Sequence, residues 1–284
     1  MSLNEFSCEV RFGALRGLRG GQPGGRRVLA LHGWLDNAAS FVPLAARLPE
    51  LDLVMLDLPG HGHSASLPAG VEYTLPGAIH SVLDVADALD WECFTLLGHS
   101  MGAGIASLIA AAAPARIEAL IAIEALGGLG EPVEHTAQRL RKSVAAVRSM
   151  RERPLRVFPT LETAVRARMM ANQLSEPSAR GLVERGVHTV PGGYCWRSDQ
   201  RLTLPTAVRM TEAQIDALIA AIECPTQVIF ATPAQPYFPE PLRSQRAALL
   251  PRGQWATLPG IHHLHMDTPD AVAQIIAEFL RTLT

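Results

Sequence analysis

Gly98-His99-Ser100-Met101-Gly102 reads G-x-S-x-G between an apolar run, Cys93-Phe94-Thr95-Leu96-Leu97, and a small-residue stretch, Gly102 to Ala113. A strand that turns this sharply into a helix imposes a strained backbone on the residue at the bend. Side chains two positions to either side would clash, which is why glycine stands at both. The turn pushes the Ser100 hydroxyl clear of the sheet. It also sets the Met101 N–H at a helix N-terminus, where it meets developing negative charge. A hydroxyl at its ordinary pKa is a poor nucleophile and needs a base. His262 is the candidate, because it follows a predicted last strand and the Pro259-Gly260 turn. His263 and His265 compete for the role. Alternation along an extended turn puts His262 and His263 on opposite sides, so only one of them faces Ser100.

The base needs an acid to fix its tautomer and stabilise the imidazolium. Glu124 stands at the carboxyl end of a strand ending at Ile123. The other candidate loop, Thr232-Pro233-Ala234-Gln235-Pro236-Tyr237, has no carboxylate before Glu240. Glu124 is therefore favoured. Asp57 opens a Pro-Gly-x-Gly turn ahead of Ser100 and suits a structural turn role. A metal site made from the late histidines with His61 and His63 has no Cys or carboxylate spacing to support it.

These groups need a scaffold, and the chain supplies one. Arg27–Leu31, Leu51–Leu56, Cys93–Leu97 and Ala119–Ile123 read as strands apolar on both faces, separated by helical stretches such as Thr74 to Leu89. That alternation implies an α/β fold with a mostly parallel sheet covered on both sides. Cys8 to Phe12 and Leu15 to Arg19 are read as an N-terminal hairpin. From Gly127 to about Met210 no strand is expected, only helices over Glu134–Met150, Thr160–Gln173 and Ser175–Arg185. That block holds 14 Arg or Lys against 7 Asp or Glu. It reads as a solvated face or as a lid that attracts anionic substrates. The α/β rhythm then resumes. A capping box at Thr211 and Gln214 opens a helix to Ile222. Strands follow at Thr226–Ala231 and Gln254–Leu258, with a helix at Pro241–Leu250 between them. A final helix, Asp270 to Leu283, is N-capped at Thr268-Pro269. The division is thus 1–126 core, 127–210 helical cap or lid, and 211–284 core.

The 284 residues are 48% hydrophobic, enough for one large buried core, which argues against disorder. A net charge of −2 gives no global basic footprint, so nucleic acid is not an expected partner. No run reaches the roughly 18 apolar residues of a membrane span. Met1 to Arg11 carries Glu5 and Glu9 and lacks the apolar centre of a secretory signal. Four scattered cysteines, Cys8, Cys93, Cys195 and Cys224, suggest reduced thiols and a cytoplasmic protein.

His32-Gly33-Trp34, Asp57-x-Pro-Gly-x-Gly-x-Ser64, Gly98-x-Ser100-x-Gly102 and the terminal His turn together resemble the α/β-hydrolase fold family over nearly the whole chain. His32 to Asn37 with His262-His263-Leu264-His265 looks like the serine-hydrolase-like branch. The resemblance implies Ser100 as nucleophile, His262 as base, the Trp34 and Met101 amides as oxyanion hole, and the insertion after Glu124 as a lid. The sequence departs from the commonest family pattern at Gln235, where most members carry the acid. Some relatives, including certain haloalkane dehalogenases and lipases, place the acid one strand after the nucleophile, and Ile123-Glu124-Ala125 resembles that variant. Haloalkane dehalogenases and epoxide hydrolases use an aspartate nucleophile; a serine implies acyl transfer to water. The expectation is a carboxylesterase-type hydrolase of small or acyl-chain substrates that needs no cofactor. Thioester, lactone, amide and carbon–carbon bond cleavage stay open as alternatives, as does a non-catalytic binding protein on the same scaffold.

Overall fold

The computed structural model describes residues 2–150 and 156–283. The chain opens with a hairpin of β1 (Leu3–Val10) and β2 (Gly13–Gly21), in antiparallel register from Leu3↔Gly20 to Val10↔Gly13. Strand β3 (Arg27–Leu31) is followed by the single turn α1 (Val42–Ala45) and by β4 (Asp52–Leu56). Helix α2 (Leu75–Ala88) leads to β5 (Phe94–His99), which bends into α3 (Met101–Ala112) and continues to β6 (Ile117–Ile123).

Next come α4 (Thr136–Met150), α5 (Leu161–Asn172) and α6 (Glu176–Gly186). A second hairpin, β7 (Val187–Val190) with β8 (Gly193–Trp196), corrects the expectation of an all-helical stretch. Its β-branched and aromatic residues flank Pro191-Gly192-Gly193, and Gly192 takes φ 88, a turn that needs glycine. Helix α7 (Glu212–Ala220) has the expected capping box. Then follow β9 (Thr226–Thr232), α8 (Leu242–Ala248), β10 (Gly253–Pro259), α9 (Leu264–Asp267) and α10 (Pro269–Arg281). Thr268 occupies the N-cap position of α10, but it does not cap. Its hydroxyl donates back to the Leu264 carbonyl at 2.9 Å, the same oxygen that accepts the Thr268 amide.

The large sheet runs β1-β2-β4-β3-β5-β6-β9-β10, and the six strands from β4 to β10 are parallel. Period-two burial explains its two covers. Leu29, Leu31, Val54 and Leu56 face α2, α3 and α7, while Val28, Ala30, Leu53 and Met55 face α1 and α10. The chain leaves β3 toward β4 and returns to β5 on the opposite side. That reversal opens a crevice at the carboxyl ends of β3 and β5, the usual place for a site in an open α/β sheet.

Candidate active site

Ser100 stands at the end of β5 with φ 51 and ψ −115, a conformation an L-residue holds only when its surroundings impose it. They do so here. The Ser100 amide donates to Ile123 O on β6 at 2.8 Å, and its carbonyl accepts from Gly104 N at 3.0 Å. A Cβ on Gly98 would lie 2.4 Å from Ala103 Cα, and one on Gly102 would lie 1.9 Å from Leu31 O. Only glycine lets α3 approach β3 and β5 this closely. The serine remains partly exposed and is not sealed in the core.

One strand over, β6 ends in the same way. Glu124 has φ 62, and its amide donates to Ile229 O at 2.9 Å. Its carboxylate is buried. Oε1 accepts from the Ala231 amide at 2.5 Å and lies 3.3 Å from the Arg243 guanidinium. Oε2 accepts from His262 Nδ1–H at 3.1 Å. Arg243 is itself buried. It donates to the Phe238 and Ala231 carbonyls, so it ties the loop after β9 to the acid. His99 Nε2–H donates to the His262 carbonyl at 2.8 Å and fixes the main chain of the histidine turn.

With Nδ1–H given to Glu124, the lone pair on His262 Nε2 is available to a hydroxyl. Among the described residues, no hydrogen bond joins Ser100 Oγ to His262. Such contacts tend to be long in free enzymes and to tighten around substrate. Burial pushes the imidazole below its ordinary value, and the bond to Glu124 opposes that push.

Tyr237, from the loop after β9, places its hydroxyl 3.2 Å from Nδ1 and 3.4 Å from Nε2. The two ring nitrogens direct their hydrogen-bond axes outward and away from each other. An oxygen nearly equidistant from both therefore lies off both axes, against the ring. Burial and the Glu124 charge push the Tyr237 hydroxyl up to about 12, so it is protonated at neutral pH.

The neighbouring histidines have other partners. His263 Nε2 lies 3.3 Å from Asp36 Oδ2, and its ring plane stands at 89° to that of His262. The two consecutive rings thus face different carboxylates. His265 is buried against Phe41 and His99. Burial opposes ionisation of Asp36, but His263 and Arg168 outweigh it and hold the carboxyl well below the usual range. Among the described residues, Asp36, His99 and His263 have donor atoms within 4.8 Å of one another. Arg168 already neutralises Asp36, so this trio reads as an ion-paired network that joins α5 to the loop after β3. His61 and His63 are outside it. His61 accepts from Leu35 N and donates to Pro59 O, while His32 accepts from Leu58 N and donates to Gly33 O. Burial drives His61 to about 3 and His32 to about 4, so both stay neutral and knit the loops after β3 and β4. Asp57 has the expected turn role, accepting from Ala38 N and His63 N and pairing with Arg185.

The Trp34 amide has no acceptor among the described residues. Met101, the first residue of α3, has no intrahelical acceptor for its N–H. Gln235 does not reach His262; its carbonyl accepts from Phe238 N at 3.0 Å. Tyr237 and Arg243 were not anticipated. The signal for Tyr237 was its place two residues beyond Gln235, in the loop after β9. Nothing in the sequence marks Arg243.

The alpha/beta hydrolase fold family model matches residues 26–180. A serine hydrolase-like protein of Danio rerio is 31% identical over 98% of this chain and 88% of its own length. A hypothetical protein of Pseudomonas aeruginosa PAO1 is 40% identical, with a TM-score of 0.92 over 98% of this chain and 99% of that one. The thioesterase domain from the curacin biosynthetic pathway shares the fold at 24% identity, TM-score 0.86, over 98% of this chain and all of that one. The strained serine at the strand-to-helix bend, the strand order and these likenesses agree: the chain belongs to the α/β-hydrolase fold family, in its serine-hydrolase-like branch.

Proposed function

We propose that the protein hydrolyses carboxylic esters of small or acyl-chain substrates by a serine acyl-enzyme route. The observation that carries this reading is the buried Glu124–His262 pair, set one strand away from the strained Ser100. His262 Nε2 takes the Ser100 proton as Oγ attacks the acyl carbon. The oxyanion is received by the Trp34 and Met101 amides, each donor worth on the order of 3 kcal/mol. His262 then protonates the leaving alcohol. Water adds to the acyl-enzyme with the same base, which releases the acid and restores Ser100. Glu124 keeps Nδ1 protonated and balances the transient imidazolium.

The cap at 127–210 belongs to the same reading. Asn37 Nδ2 donates to Leu182 O and Trp34 Nε1 to Leu202 O, so the cap rests on the loop that carries one oxyanion donor. The four free cysteines, two of them buried, suit a reducing cytoplasmic setting. Turnover of p-nitrophenyl esters of graded chain length tests the proposal. Ser100→Ala should remove it while leaving the fold intact. Tight ligand retention without turnover in the native chain would favour a binding protein instead.

A further inference from the structure

Helix α4 is inside out. Leu140, Val144 and Val147 fall at i, i+4 and i+7 and form one stripe, as on a helix that packs on a core. Yet they are 42%, 55% and 50% exposed. The inward face is instead Arg139, Ser143, Ala146 and Met150, with Ser143 buried and Arg139 paired with Glu131. The connection leading into the helix adds Leu129 and Val133, at 44% and 72% exposure.

The charge on this helix has one sign. It carries Arg139, Arg141, Lys142 and Arg148 and no acid. Arg141 and Arg148 each follow a stripe residue and are seven apart, so they flank the same edge of the stripe. Arg141, Lys142 and Arg148 are exposed and have no ion-pair partner among the described residues. An apolar stripe bordered by unpaired cations fits a surface that is apolar at depth and anionic at its rim. Long Arg side chains reach such a rim while the helix body lies in the boundary. No described helix is long and apolar enough to cross a membrane, so the helix would lie on the bilayer.

We propose that α4 docks the protein on anionic phospholipid bilayers through Leu140, Val144 and Val147, with Arg141 and Arg148 on the headgroups. The inference is independent of the hydrolase reading, since no α4 residue is placed in the catalytic machinery. The test is co-sedimentation of the full chain with vesicles of phosphatidylcholine alone and of equimolar phosphatidylcholine and phosphatidylglycerol. Binding to the anionic vesicles is expected, weakened at high salt and about tenfold weaker in Val144→Glu and in the double variant Arg141→Glu/Arg148→Glu. These positions are exposed, and unchanged thermal unfolding would show that the variants fold. No sedimentation with anionic vesicles overturns the proposal. So does binding that survives both variants, equal binding to neutral vesicles, or a dimer by light scattering that Val144→Glu dissociates.

Discussion

Glu124 Oε2 lies 3.1 Å from His262 Nδ1 across 138 residues of sequence. The parallel sheet closes that gap. β6 presents the acid beside β9, and the turn after β10 brings the imidazole back over it. If this pair sets the tautomer of the base, Glu124→Gln should lower kcat roughly 10²- to 10⁴-fold. Gln235→Ala should change it little. Steady-state kinetics on one ester compares the two, and the reverse order would reassign the acid.

The pH profile follows from the same pair. In the proposed route the base acts when neutral, and burial holds His262 below its ordinary 6.5. The acid limb of kcat/KM should therefore fall below pH 6.5, with activity rising as pH increases through it. Glu124 favours the charged ring, so Glu124→Gln should move the limb to still lower pH. A limb that moves upward in that variant would contradict this assignment of cause.

Tyr237 packs its hydroxyl against the His262 ring, and the proposed route makes it a positioning residue. Its oxygen lies 3.2 and 3.4 Å from the two ring nitrogens, off the axes of both, and limits tilting of the imidazole. Tyr237→Phe should cost kcat about threefold through a looser ring, with KM and the acid limb nearly constant. A KM effect alone would assign it to substrate binding.

The buried Arg243 compensates the buried Glu124 charge. Arg243→Met should destabilise the fold by about 3–5 kcal/mol, because it strands an uncompensated carboxylate. The double variant with Glu124→Gln should lose less than the sum of the single losses. Urea unfolding of the three variants measures the coupling.

Buried neutral histidines make the fold acid-sensitive. His32 and His61 fall from 6.5 to about 4 and about 3 on folding. The unfolded chain thus binds more protons between 6.5 and those values, and stability drops as pH falls through that window. The His32 contribution is present above pH 6.5, and at most about 3 kcal/mol of it is gone near pH 4. The denaturation midpoint, followed from pH 7.5 to 4, should fall steadily below 6.5 rather than hold flat.

Much of this architecture could be read from the residues. Ser100 was legible because Gly98 and Gly102 are steric requirements of the bend, and strands apolar on both faces define a covered sheet. The hairpin of β7 and β8 was missed because Val187 to Val190 is short and lies in a helical stretch, although the glycine turn after it was visible. Tyr237 and Arg243 act through three-dimensional approach across β6, β9 and α8, which no local spacing encodes. The outward stripe of α4 has the same cause: periodicity marks an apolar face but not the direction it points.

The most direct measurement is active-site labelling with a fluorophosphonate, read by intact mass and peptide mapping. One adduct on Ser100 is expected in the native protein, none in Ser100→Ala, and a much slower reaction in His262→Ala. A folded native chain that stays unlabelled, or an adduct that persists in Ser100→Ala, would contradict nucleophilic catalysis by this serine.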